Sequence, residues 1–430
     1  MNKRCHVLIL ILCVAWVAVA ARGASLWEEA GIESHGFVDL RGGMRSQTDP
    51  TQKDRSLQES RFQFDLYRAG DLATLQLRAD FLYDAILSEQ DVDLEEGQGA
   101  IDLREAYILL YPSDSLDLKV GRQILTWGTG DLLFINDMFP KDWQSFFIGR
   151  DEEYLKAPSD TILASFFPEI ASIDLVYTPR FDADRTIRGE RLSYWNPMAG
   201  SVVGREAIVD ADQPDDWFED DEVAARVYRN IGAYEVALYG YAGYWKSPVG
   251  FDPTSMRATF PRLNVYGASA RGTAMSGVIS AEAGYYDSLD DRDGDDPTVP
   301  NSQSRILVGY EREVAQDLTA GVQYYLEFMS DHAAALRGVP DSSTAADEDR
   351  HVVTLRLTRL LMNQNLNLSF FAYYSPSDRD VYLRPAVTYK MSDALQLTAG
   401  GNVFLGEEEH TFFGQFQDNN NVYAGVRYSF

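Results

Sequence analysis

From about Gly36 to Phe430 the chain alternates, one residue at a time, between hydrocarbon and polar side chains, and does so in segment after segment. Phe62, Phe64 and Leu66 interleave with Arg61, Gln63, Asp65 and Tyr67. Leu75, Leu77, Ala79, Phe81 and Tyr83 interleave with Gln76, Arg78, Asp80 and Asp84. The pattern returns at Ala320–Phe328, Leu366–Tyr373 and Val381–Lys390, and in the last strand, where Val422, Ala424, Val426, Tyr428 and Phe430 alternate with Asn421, Gly425, Arg427 and Ser429. Period two puts one greasy and one wet face on each strand. The connections decide what such strands build. Those after even-numbered strands are tight, at Ala69–Asp71, Pro112–Ser115, Pro168–Ala171, Asn230–Ala233, Ala274–Gly277, Ala315–Asp317, Asn363–Asn365 and Ser392–Ala394. Those after odd strands are mostly long and acidic, among them residues 88–99, 128–159, 182–221, 290–301 and 332–350. A soluble sandwich has no reason to keep that parity, whereas a membrane-spanning ring with both ends on one side requires it. The expected fold is all-β, a transmembrane antiparallel β-barrel of about 18 strands, with 16 as the alternative because Thr161–Phe167 and Asn264–Arg271 are weak strands. A closed ring satisfies every backbone group within lipid and, at this size, leaves an aqueous lumen.

The N-terminus agrees. Lys3 and Arg4 precede an apolar run from Val7 to Ala20 that ends in Ala18-Val19-Ala20, which reads as a secretory signal peptide over 1–20, cleaved after Ala20. A short lead at 21–35 would stay in the periplasm, and 36–430 would form the barrel. Cys5 and Cys13, the chain's two cysteines, both fall in the removed segment, so the mature chain has no thiol for disulfides, metal thiolates or redox chemistry. No later stretch approaches the roughly eighteen consecutive apolar residues of a spanning helix. The formal charge of −28 includes the two cations lost with the signal peptide and excludes nucleic-acid binding by the usual electrostatic route. Twenty-four Tyr and twenty-two Phe argue against disorder in spite of that charge.

Two stretches resemble known families. A terminal Phe430 with Tyr428 two residues before it resembles the C-terminal signal of bacterial outer-membrane β-barrels, which implies that the barrel insertion machinery is a partner. After the fifth strand, Gly121-Arg122-Gln123 is followed by Trp127-Gly128 and then by residues 129–158; this is similar to a broad porin-like group that includes phosphate-selective porins and alginate-export barrels. The resemblance covers about forty residues and implies no particular solute.

That long segment concentrates Phe134, Phe139, Trp143, Phe146, Phe147 and Tyr154 with Lys141, Arg150 and Lys156, a composition that needs partners rather than water. It reads as an inward-folded constriction loop over 128–159, with Asp131, Lys141, Asp142, Trp143, Arg150, Tyr154 and Lys156 as its candidate residues and Lys141, Arg150 or Lys156 facing the narrowest water. The competing reading is an outer cap. Inward strand positions carry Arg61, Arg78, Arg104, Lys119, Arg226, Arg305, Arg356, Arg384 and Arg427, interleaved with Asp39, Asp65, Asp80, Asp102, Glu282 and Glu327. These either guide solutes through their field or pair across the wall and stiffen it. Strict alternation would point Arg122 at lipid, and Pro385 inside a strand argues for a bulge. Asp291 and Asp293 lie in an acidic run that only partly matches a calcium loop, and no metal site or cofactor is assigned. The four histidines expected in the mature chain, His35, His332, His351 and His410, stand in no metal spacing, and with no paired nucleophile and base they leave no catalytic residue and no enzyme.

The expected function is an outer-membrane porin-like channel of a Gram-negative bacterium, for passive diffusion of small hydrophilic solutes. The alternative is an interaction or export barrel serving a partner, such as a polysaccharide export pore or the sheath of a cytochrome conduit. Expected partners are outer-membrane lipid and lipopolysaccharide, the insertion machinery and the solutes; a homo-oligomer stays open and nucleic acid is excluded.

Overall fold

The computed structural model describes residues 31–87, 91–338 and 345–430. The expected signal peptide at 1–20, and the lead up to residue 30, lie outside the described residues. Eighteen strands form one sheet: β1 Glu33–Arg45, β2 Leu57–Arg68, β3 Ala73–Asp84, β4 Ile101–Ser113, β5 Leu116–Gln123 and β6 Ser159–Phe166. They continue with β7 Ser172–Thr178, β8 Glu222–Ile231, β9 Tyr234–Tyr244, β10 Arg262–Ala274, β11 Gly277–Ser288 and β12 Gln303–Ala315. The last six are β13 Leu318–Met329, β14 Asp349–Leu361, β15 Leu366–Ser375, β16 Asp380–Lys390, β17 Leu395–Gly406 and β18 Asn421–Ser429. Each pairs antiparallel with its chain neighbours, and β1 pairs with β18 from Phe37↔Ser429 to Arg45↔Asn421, so the ring closes without an edge. The segments 161–167 and 264–271 are strands after all, which settles the count at 18 rather than 16.

The two faces separate as the alternation requires. Leu75, Leu77 and Phe81 of β3, Ile306 and Val308 of β12, and Val422 of β18 are exposed apolar side chains, whereas Asp80, Glu282 and Gln323 on the opposite face are buried. Exposed tyrosines mark both ends of the apolar band, Tyr266, Tyr285 and Tyr374 toward the long connections and Tyr234 and Tyr428 toward the tight turns. Such amphipathic rings suit the two boundaries of a bilayer.

The expected bulge at Pro385 is absent. Leu383 pairs with Val403 and Ala386 with Gly400 in one register, so the proline removes pairing with β17 at two residues without shifting the ladder. Toward β15 the register runs unbroken through Phe370↔Pro385. A bulge does occur in β4, where Arg104 is the extra residue between Leu103, opposite Ala79, and Glu105, opposite Arg78. That insertion turns two successive polar side chains, Arg104 and Glu105, to the buried side.

The largest apolar cluster is not between layers of sheet but among residues 125–155 and the inner-face side chains around them. It joins Leu132, Ile135, Phe146, Phe147 and Leu155 to Tyr286 of β11, Tyr325 of β13, Tyr373 of β15, Tyr382 of β16 and Phe404 of β17.

Candidate functional site: the inner wall and residues 124–158

β5 hands the chain to this segment through Gly121-Arg122-Gln123. Gly121 has φ +122°, where a Cβ would lie 2.3 Å from the Ala106 carbonyl, so only glycine fits. Arg122 keeps the outward register, opposite Ala106 and Asp160, yet it is buried: it pairs with Asp160 at 2.9 Å and donates to the Leu103 carbonyl at 2.8 Å and to the Leu94 carbonyl. The charge that alternation sends outward is thus met by groups at the strand ends. Gln123 donates to the Thr161 carbonyl at 3.1 Å.

The segment then crosses to β10 and β11. Gly267 and Gly284 face each other in register, and a Cβ at either would collide with Asn136 Oδ1 (1.7 Å) or Ile135 Cγ2 (2.7 Å); the two glycines form a notch that seats Ile135-Asn136. Beside it, the buried Glu282 carboxylate accepts from Thr129 N (2.7 Å), Thr129 Oγ1 (3.1 Å), Gly130 N (3.1 Å), Asn136 N (2.7 Å) and Asn136 Nδ2 (3.0 Å). Asp131 N donates to Gln323 Oε1 and Gln323 Nε2 returns a bond to the Asp131 carbonyl, both at 2.8 Å, while Tyr373 Oη donates to the Leu132 carbonyl at 2.9 Å.

A short helix, α1 Trp143–Ile148, follows. Asp142 caps it by accepting from Ser145 N at 2.7 Å and Ser145 Oγ at 2.6 Å. Gly149 ends it at φ +90°, where a Cβ would strike the Tyr423 ring at 2.2 Å. Trp143 Nε1 donates to Asp184 at 3.1 Å, and Phe147 stands edge-on to Tyr382 and Phe404, each 5.3 Å away. The connection between β7 and β8 holds this piece from the far side: Trp143 N donates to the Arg185 carbonyl at 3.0 Å, and Arg185 pairs with Asp102 at 2.9 Å.

The inward charges divide into two groups. On β2 to β4 they meet the segment. Arg61 pairs with Glu59 at 2.9 Å and with Asp80; Tyr154 lies under Arg61 (4.1 Å) and Arg104 (4.9 Å) and donates to Asp80 at 2.7 Å. Arg150 donates to Glu59 at 2.6 and 2.9 Å, and Arg104 donates to the Lys156 carbonyl at 2.7 Å. Burial pushes the Tyr154 phenol far above the ordinary tyrosine range, so it stays a donor. Other predicted cations pair along the wall: Arg78 with Asp65 and Glu105, Arg226 with Glu235, Arg305 with Glu327, and Lys119 lies 3.8 Å over the Tyr107 ring.

The second group meets the acids of the segment's partly exposed turn. Asp151, Glu152 and Glu153 stand at the tip of the segment, where Arg41 pairs with Asp151 at 2.5 Å and Arg427 with Asp151 and, at 3.4 Å, with Glu153. Glu152 meets Arg356 at 3.2 Å and Arg384 at 3.8 Å; Arg356 also grips Asp131 at 2.5 Å. The Glu152 and Glu153 side chains are 48% and 51% exposed, while the arginines they contact, Arg356, Arg384 and Arg427, are mostly buried. Burial raises the Asp131 carboxyl above the usual aspartate range, with Arg356 opposing it in part.

The expectation that Lys141 or Arg150 faces the water is corrected. Lys141 is buried, paired with Asp137 at 3.0 Å and bonded to the Phe139 carbonyl, and Arg150 is spent on Glu59. Lys156 is half-buried. The acids 151–153, not the predicted cations, carry the exposed charge of the segment, and the run Asp-Glu-Glu is their signal in the sequence. Asp291, the calcium-loop candidate, accepts from Gly294 N at 3.0 Å and Asp296 N at 2.9 Å, holding its own turn.

At the closing seam, Phe430 exchanges backbone hydrogen bonds with Gly36 (3.0 and 3.1 Å) and stacks on Phe62 with ring centroids 5.9 Å apart, while Tyr428 points outward.

No protein-family description matches this sequence, and no curated protein does. Solved structures do match in shape. OccAB1 of Acinetobacter baumannii superposes with a TM-score of 0.55 at 8% identity, covering 93% of this chain and 96% of that one. OccAB4 of the same organism gives 0.55 at 10%, over 93% and 98%. OccD3 (OpdP) of Pseudomonas aeruginosa gives 0.52 at 10%, over 93% and 91%. Identities this low carry the fold alone, and that fold is the closed, 18-stranded antiparallel barrel of the outer-membrane porins.

Proposed function

We propose that the protein is an outer-membrane channel of a Gram-negative bacterium through which small hydrophilic solutes diffuse passively, with residues 128–159 folded inward as its constriction. The carrying observation is the acidic tip, half-buried Asp151 and exposed Glu152 and Glu153, paired with Arg41, Arg356, Arg384 and Arg427. On this account the exposed glutamates and the arginines beside them border a narrow aqueous gap, where their opposite charges create a transverse field that orders polar solutes and their water. In this reading the chain is exported by a signal peptide at 1–20, Tyr428 and Phe430 serve the insertion machinery, and lipid with lipopolysaccharide surrounds the apolar band. The Gly121-Arg122-Gln123 motif is consistent with the porin-like group and names no solute. A sheath or export pore needs a wide bore, and the apolar cluster that ties residues 125–155 to β11, β13 and β15 to β17 speaks against one.

Planar-bilayer recording tests the proposal. Arg384→Gln removes the cation whose acid partner is most distant, and Glu152 keeps Arg356, so no carboxylate is stranded. The reversal potential should move toward cations at low salt, where screening is weak, with single-channel conductance close to wild type. A purified, correctly folded barrel that passes no ions would refute the channel reading.

A further inference from the structure

On the side of the long connections, residues 134–147 form the floor of a cavity of about 870 Å³. Phe134, Met138 and Trp143 line it from below, Trp245 and Tyr286 from the wall, and Val249 and Met256 from the rim. It shares Phe134, Trp143 and Arg305 with a second cavity of about 190 Å³ that continues down to Leu132 and Tyr373. The first falls within the size range of sites for small organic ligands, about 300–1,000 Å³.

What it could hold follows from its charges. Six charged side chains line it, and each is already answered: Lys141 by Asp137 at 3.0 Å, Lys246 by Glu222 at 2.6 Å, Arg305 by Glu327 at 3.1 Å and Asp210 by Arg257 at 2.8 Å. Asp184 accepts from Lys141 N (2.7 Å), Trp143 Nε1 (3.1 Å) and Ser247 Oγ (2.8 Å). An ionic solute would shed water here and find no uncommitted counter-charge. A sugar could lay one face on a ring, but most of the lining its hydroxyls would meet is apolar. A planar aromatic ring gains on every side, from apolar burial and from edge and face contacts with Phe134, Trp143, Trp245 and Tyr286.

We propose that this cavity is a binding vestibule for small uncharged aromatic solutes, of the aryl-alcohol class, held above the constriction before they pass. The proposal rests on the channel reading for its purpose but not for its test. Equilibrium dialysis of 4-nitrobenzyl alcohol against the purified barrel in lipid nanodiscs, with empty discs subtracted, reads binding without any current. The wild type should bind saturably at one site per barrel. Val249→Asp with Met256→Asp, both on exposed rim positions and so harmless to folding, should weaken binding about tenfold or more, and glucose and benzoate should bind at least about tenfold more weakly than the probe. Equal binding by the double variant, or glucose or benzoate binding as tightly, would overturn the vestibule. Bilayer recording of the same preparations separates the two ideas: conduction without aryl-alcohol binding sinks the vestibule alone, and binding without conduction sinks the channel alone.

Discussion

Glu282→Gln tests whether residues 128–136 are docked by one carboxylate. Five donors converge on its two oxygens, two on Oε1 from Asn136 and three on Oε2 from Thr129 and Gly130. Glutamine keeps the shape but turns one oxygen into a donor. In its better orientation the new amide faces the Asn136 pair, leaving the buried Asn136 backbone N–H unmatched at about 1–3 kcal/mol, while Asn136 Nδ2 keeps the Ala268 and Ala283 carbonyls. The other three bonds survive but lose the charge that roughly doubles their strength. The sum, discounted for relaxation, is about 2–4 kcal/mol against the docked segment, or about thirtyfold to a thousandfold in its docking equilibrium. None of it falls on the eighteen-strand ladder, so the variant should insert and remain heat-modifiable. Trypsin reads the outcome, because Lys141, Arg150 and Lys156 lie beyond the anchor, the first two in buried ion pairs; cleavage there should accelerate, and channel current should become larger and noisier. Glu235→Gln, at a half-exposed carboxylate beside the β8–β9 turn, serves as control. Trypsin resistance and conductance both equal to wild type would show that the carboxylate does not hold the segment.

Excising residues 131–157 and closing the gap with a short Gly-Ser link should raise single-channel conductance several-fold, and an unchanged value would place the segment outside the permeation path. Arg150→Glu should loosen the segment rather than simply shift ion preference, since it sets a second carboxylate against buried Glu59; losing a partner of a buried pair costs about 3–5 kcal/mol, visible as faster proteolysis. Deleting Phe430 removes two backbone hydrogen bonds to Gly36, about 1 kcal/mol each, plus one stacked ring, so assembled yield in membranes should fall much more than the melting point of barrels already formed. Lowering the pH through the raised Asp131 value protonates its carboxyl while Arg356 stays charged, so the reversal potential should drift toward anions and Asp131→Asn should flatten that drift. The sign for stability is the reverse of acid denaturation: a carboxyl raised by burial binds its proton more readily when folded, so this group adds stability as pH falls through that window.

The ring was legible because lipid and water impose a two-residue period on every strand, and the parity of the connections follows from crossing a membrane. The inner wall was less so, because its partners are set by contacts far apart in sequence: Arg61 and Arg104 looked like a solute ladder until Tyr154 is seen to cover them, and Lys141 looked like a pore charge until Asp137 takes it. Pro385 misled because a proline can forfeit pairing on one side of a strand without adding a residue. Alternation points Arg122 at lipid because it says which way a side chain starts and not what meets it at the strand end. The glycines at 267 and 284 did carry a signal, two inward positions emptied on adjacent strands, but reading it requires the register.

The acidic tip and the arginines opposite it are one electrostatic unit. Without Glu152 the Arg384 guanidinium would lose its acid partner, whereas Arg41 and Arg427 would keep Asp39 and Arg356 would keep Asp131. The same ion pairs that hold the segment therefore set the field across the gap, and most substitutions change both at once. Arg427 illustrates the difficulty: it touches Asp39, Asp151 and Glu153, so its loss would take away Glu153's cation and move the tip even though Arg41 still holds Asp39 and Asp151. Arg384, 3.8 Å from Glu152 and braced on the Phe146 ring at 3.9 Å, is the position where field and docking separate most cleanly. If Arg384→Gln left the reversal potential where it was while the segment stayed protease-resistant, the field across the gap would not be what sorts ions in this barrel.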